Sequence, residues 1–152
     1  MATRDPLHPF LLEFYDDPDT GDEPVRDWLL GELTPYQRRA IGVGLFEVLQ
    51  RYGVGVCAGE YGKALGQGLF EFRLRHDADE IIAMHTGREP MGESDQGKIL
   101  LRVFCHAYGD RIVLLLGGYD KGAAPGDRRQ AKEIELARTR LREFKGRPQA
   151  TP

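Results

Sequence analysis

Residues 69–75 read Leu-Phe-Glu-Phe-Arg-Leu-Arg, and that alternation admits one local structure. Phe70, Phe72 and Leu74 fall on one side of an extended chain, and Glu71, Arg73 and Arg75 on the other. The segment is therefore a strand with one face in the core and one charged. A second stretch, Ile99–His106, has the same character and places Arg102, Phe104 and His106 together. If the two strands pair, their polar faces merge into a basic surface edged by an aromatic. Guanidinium groups bind two phosphate oxygens at once and keep their charge, so such a surface suits a phosphate backbone.

The rest of the chain supplies the layers around this sheet. Residues 10–15 read as a first strand, followed by an Asp-, Pro- and Gly-rich turn over 16–22. A first helix is predicted from Glu23 to Leu33, with Val25, Trp28, Leu29 and Leu33 on one face. Thr34-Pro35-Tyr36-Gln37 combines a capping threonine, a proline suited to the first helical position and a glutamine that closes a capping box. The second helix then runs to about Tyr52, so the two helices form a tight antiparallel pair. Glycines from Gly53 to Gly68 break the helical period. Residues 76–98 show no pattern and are expected to form a long mobile insertion. Strands over 99–107 and 111–117 follow, the latter apolar on both faces and therefore interior. Asp127 opens a last helix that buries Ile134, Ala137, Leu141 and Phe144, and residues 146–152 are expected to be a disordered tail. The expected fold is α+β in the order β-α-α-β-β-β-α. It is a small, mostly antiparallel sheet with two N-terminal helices on one face, a C-terminal helix, and one sheet face left free to work.

Composition restricts what that face can meet. The 152 residues suit one domain, about two-fifths apolar and nearly a third charged. The net charge of −3 hides an asymmetry. Residues 1–35 hold two basic and nine acidic side chains, whereas residues 121–152 hold nine basic and four acidic. Cys57 and Cys105 are far apart and read as reduced, buried thiols. His8, His76, His85 and His106 lack partners at metal-ligand spacing, so neither a metal nor a cofactor is expected. Asp5 and Glu13 interrupt the N-terminus as a secretory signal, and the longest apolar run is too short to span a bilayer. The expected compartment is the cytoplasm, with no membrane partner.

Five segments in order carry a family resemblance: Val25-Arg26-Asp27-Trp28-Leu29; Lys63, Leu65, Gly68, Leu69, Glu71 and Arg73; Arg102 and Phe104; Gly118, Tyr119 and Lys121; and Ile134, Ala137, Arg138 and Arg140. Over about Val25 to Phe144 the chain resembles the RelE/ParE superfamily of bacterial toxins, and within it the HigB-like, phage-derived branch of toxin–antitoxin systems. The resemblance implies a metal-free endoribonuclease that cleaves mRNA, on the ribosome in many members, and is held silent by a cognate helix-turn-helix antitoxin. In such an enzyme the 2′-hydroxyl attacks its own phosphodiester. The protein positions it, stabilises the pentacoordinate phosphate and assists proton transfer.

By this resemblance Arg73 and Arg102 would stabilise the scissile phosphate. Lys63, Arg75 and Lys121 would hold its neighbours, and Tyr119 would stack on a base. His106, the one side chain of this face that titrates near neutrality, would carry a proton. Where the family ends its fourth strand in paired lysines, this chain has Asp120 before Lys121, a carboxylate expected to oppose anion binding. That feature and the net acidity support an alternative: a non-catalytic binding protein on the same fold, either a decayed toxin or a phage-derived regulatory subunit.

Overall fold

A computed structural model describes residues 5–87 and 97–148. Its sheet is built from β1 (Leu11–Phe14), β2 (Gly62–Gly66), β3 (Leu69–Leu74), β4 (Leu101–Tyr108) and β5 (Ile112–Asp120), in the spatial order β1-β5-β4-β3-β2. Every pairing is antiparallel except β1 with β5, which run parallel from Leu11↔Ile112 to Phe14↔Leu115. The helices are α1 (Pro24–Gly31), α2 (Pro35–Gly44), a single α turn α3 (Gln50–Tyr52), α4 (Ala78–Thr86) and α5 (Asp127–Lys145). A π-helical stretch, Leu45–Leu49, joins α2 to α3, and a 3-10 segment, Gly53–Ala58, follows. The molecule is thus α+β with a five-stranded, mostly antiparallel sheet.

The predicted order lacked two of these elements. β2 pairs with β3 through the two-residue turn Gln67-Gly68, both at positive φ, the turn geometry that follows the twist of paired strands. Its sequence, Gly-Lys-Ala-Leu-Gly, is too short and glycine-rich to show alternation. The second omission is α4, inside the segment expected to be a mobile insertion. Asp77 accepts from the Glu80 amide and the Glu80 side chain accepts from the Asp77 amide, a full capping box, and Gly87 in the left-handed region closes the helix. Residues 88–96 of that insertion lie outside the described residues. So do residues 149–152 of the expected tail, although Arg147 within it is tied to Glu143 and Asp16.

One sheet face packs under α1 and α2. Val25, Trp28, Ile41, Val48 and Leu49 meet Phe70, Phe72, Leu74, Leu101, Val103 and Leu115. Thr34 and Gln37 form the anticipated capping box. The helical stretch Pro35–Ala58 is, among the described residues, the one long and apolar enough to cross a membrane by length and composition. Its apolar side, including Ala40, Ile41, Val48 and Leu49, is part of this core.

The opposite face is not free, contrary to expectation. Ala137 and Leu141 of α5 are buried on it, packed in one cluster with Tyr15, Leu69, Phe104, Leu114, Leu116 and Tyr119. The far end of α5 is pinned as well. Tyr15 donates its hydroxyl to Glu143 at 2.7 Å, and Arg147 bridges Glu143 and Asp16. The first two turns of α5, by contrast, bury no side chain.

β5 holds a bulge. Phe104 pairs with Gly117 and Cys105 with Leu115, so Leu116 is an extra residue. Leu116 and the open side of Gly117 both face α5, and the alternation beyond them is inverted. Arg140 donates to the Leu116 carbonyl at 2.8 Å. Gly118 then lies against the Trp28 ring, which a Cβ would approach to 2.5 Å. Gly118→Ala should therefore cost about 1–3 kcal/mol of stability by overpacking. Urea unfolding checks this: the midpoint falls while the denaturant slope stays unchanged.

Candidate functional site

Strand pairing puts the predicted arginines side by side. Arg73 on β3 is the register partner of Arg102 on β4, and Arg102 is the partner of Tyr119 on β5. All three lie on the α5 face, opposite α1 and α2. In the adjacent row, Lys63 on β2 pairs with Glu71 on β3, which pairs with Phe104 on β4. On the other side of the arginine row, the Lys121 amide donates to the Leu100 carbonyl, just beyond the paired ends of β4 and β5. Arg75 follows β3 by one residue, and alternation carries it to the face of Glu71 and Arg73.

The centre of this arrangement is a carboxylate. Glu71 is fully buried. Its Oε2 accepts from Arg73 Nε at 2.9 Å, its Oε1 lies 3.6 Å from Arg102 Nε, and Oε1 also accepts from Gln130 Nε2 at 3.3 Å. The same Gln130 side chain accepts from Lys121 Nζ at 3.3 Å. Gln130 thus links α5 to both the acid and one of the cations. Arg73 remains 22% exposed and Arg102 only 3%. Burial pulls the Arg102 guanidinium below its ordinary pKa, Glu71 opposes that, and Arg73 and Arg75 add to the fall. At 3.6 Å, Arg102 Nε is within ion-pair range of Glu71 and short of a hydrogen bond.

Three predicted roles change on this geometry. Tyr119 is 2% exposed, with its ring parallel to Phe104 and the Arg129 guanidinium 5.6 Å from its centroid. The ring is not presented for stacking on a base; that would require Arg129 to leave. Its hydroxyl is buried without a hydrogen-bond partner among the described residues, and burial raises its pKa, with Glu71 adding to the rise. His106 shares the face but lies in the row of Leu69 and Leu114, two rows from Arg102. Four residues of strand separate them, roughly 13 Å. Its Nδ1 donates to the Gly68 carbonyl at 2.9 Å, and its ring stacks on Tyr108. His106 therefore cannot pass a proton to a phosphate held between Arg73 and Arg102.

Asp120 is the third. The bulge turns it towards α2, where it accepts from Gln37 Nε2 at 2.7 Å. Its other oxygen accepts from the amides of Gly122 and Ala123, closing the turn after β5. Gln37 completes the capping box that Thr34 opens, so Asp120 ties the start of α2 to the end of the sheet. It does not oppose the arginines from their own face.

Glu71 and Gln130, neither of them among the expected site residues, organise the site. Glu71 was visible in principle, because it lies two positions before Arg73 on the same strand face. Gln130 was not, since its contact depends on how α5 lies over the sheet. Among the described residues no group of three His, Cys, Asp or Glu side chains is arranged to hold a metal ion, and burial raises the pKa of both cysteine thiols. No family model and no curated protein sequence matches this chain.

Asp120→Lys provides a direct test of the structural role. The loss of two backbone amide bonds and the Gln37 bond should lower stability by about 1–3 kcal/mol, without raising affinity for single-stranded RNA. Urea unfolding and fluorescence anisotropy with a labelled oligonucleotide read the two effects separately.

Proposed function

We propose that this protein is a RelE/HigB-like toxin, a metal-free endoribonuclease that cleaves mRNA on the ribosome and so inhibits translation. The observation that carries the reading is the row Arg73–Arg102–Tyr119, continuous across three strands and flanked by Lys63, Arg75 and Lys121. A phosphodiester chain crossing that row would meet Arg73 directly, with ammonium groups on either side, and would reach the buried Arg102 only by displacing the polar contacts at the start of α5. In this reading Arg73 and Arg102 stabilise the charge that develops on the phosphate, and the outer cations hold the flanking nucleotides. A cognate antitoxin with a DNA-binding helix-turn-helix domain and an acidic segment would silence the protein by occupying the same cations.

A second reading is supported by a separate observation. Arg102 and Tyr119 are buried beneath the start of α5, and His106 lies two rows away. A binding protein that holds RNA or a partner through the outer cations alone would use this arrangement without catalysis.

Neutralising the outer cations, of which Lys63 and Arg75 are exposed and Lys121 half-buried, tests phosphate binding at the rim. Lys63→Ala, Arg75→Ala and Lys121→Ala combined should weaken single-stranded RNA binding and flatten its salt dependence. The logarithmic slope should change by about 2, near 0.7 for each lost phosphate contact. An unchanged slope would show that RNA does not use these side chains. Induced expression separates the two readings. A ribonuclease toxin arrests growth and leaves new 5′ ends in mRNA, and Arg73→Ala relieves both; the non-catalytic reading expects intact transcripts.

A further inference from the structure

We propose that Glu71 is a positioning residue, which aims the Arg73 and Arg102 guanidinium groups as one phosphate-binding unit. The inference rests on the reading that this face binds RNA. Two arginines placed directly opposite on neighbouring strands repel each other, and nothing in a strand pairing holds two long side chains in register. Glu71 resolves both problems. Each of its oxygens faces the Nε of a different arginine, 2.9 Å from Arg73 and 3.6 Å from Arg102.

Contact through Nε leaves the outer donors of the fork uncommitted. Arg73 spends none of its four Nη hydrogens on a partner among the described residues, and Arg102 gives one to the Leu101 carbonyl at 3.2 Å. The acid itself cannot swing away. It is fully buried, and Gln130 of α5 bonds its Oε1 from above. Burial also keeps solvent and salt from screening it, so its hold on the arginines persists at ionic strengths that weaken the exposed cations.

A positioning role makes an unusual prediction about charge. Glu71 is a negative group beside a phosphate site, so it lowers the attraction for RNA while it fixes the arginines. Glu71→Gln should therefore leave KM for a single-stranded RNA unchanged or lower, while kcat falls at least tenfold. A merely structural residue would not separate the two.

The positioning can also be read without catalysis, from hydrogen exchange at the arginine Nε–H groups, observed by ¹⁵N-resolved spectra. Wild-type protein should show slow exchange at Arg73 and Arg102, and Glu71→Gln should accelerate it at least tenfold. If that variant does not fold, Glu71→Asp replaces it: the charge is retained but withdrawn by one methylene, and exchange should still accelerate severalfold. Exchange equal to wild type in the folded variants overturns the proposal, as does an unchanged kcat. Slow wild-type exchange, lost on substitution, upholds the positioning even where the wild type cleaves no RNA. Failure of the wild type to cleave RNA on translating ribosomes counts against the ribonuclease reading and leaves the positioning of the arginines standing.

Discussion

A single inserted residue in β5 sets the phase of everything at this end of the sheet. Because Leu116 is unpaired, the side chains beyond it exchange faces. Gly118 is turned under Trp28, Tyr119 joins the arginine row, Asp120 reaches α2, and Lys121 reaches α5. A regular strand would have reversed all four placements. Tyr119 and Lys121 would lie in the α1–α2 core, and the Asp120 carboxylate would stand beside Arg102. The bulge is held from outside the strand by Arg140, whose guanidinium meets the Leu116 carbonyl. α5 therefore maintains the site at a distance as well as covering it.

The charge arrangement on that face follows a consistent logic. Two opposed arginines need a counter-charge, and Glu71 provides it from the same strand. An acid buried this completely is tolerable only because it is paired and hydrogen-bonded, here by three donors or cations. The outer cations Lys63 and Arg75 stay exposed and so remain available to a mobile polyanion. The site thus divides into a buried, oriented centre and a solvated rim. In the proposed function the rim would supply attraction for a phosphate chain and the centre would supply geometry.

α5 is held unevenly. Leu141 and Ala137 are buried, and the Tyr15–Glu143 and Arg147–Asp16 contacts anchor its end against β1 and the loop after it. Its start is joined to the site mainly through polar contacts of Gln130 and the Arg129–Tyr119 stacking. Apolar packing is dense and hard to replace, whereas long polar contacts near the surface exchange readily with water. The covered and uncovered parts of the sheet face are thus distinguished by the kind of interaction that covers them.

The alternation of Phe70, Phe72 and Leu74 with Glu71, Arg73 and Arg75 was enough to define β3 and its two faces. The Thr34–Gln37 box was enough to start α2. Such signals are local, because steric and hydrogen-bonding preferences within a few residues decide them. The Asp77–Glu80 box was equally local and was obscured by the acidic run around it; β2 was too short to show a period. What no local pattern contained was the phase of β5 after Leu116, the depth at which Arg102 and Tyr119 lie, and the distance of His106 from the arginines. Those depend on which residue faces which across three strands, and on where α5 comes to rest. The sequence alone determined which side chains share a face of β3 and β4. Tertiary structure alone decided which of them meet, because burial and register are properties of the assembled sheet.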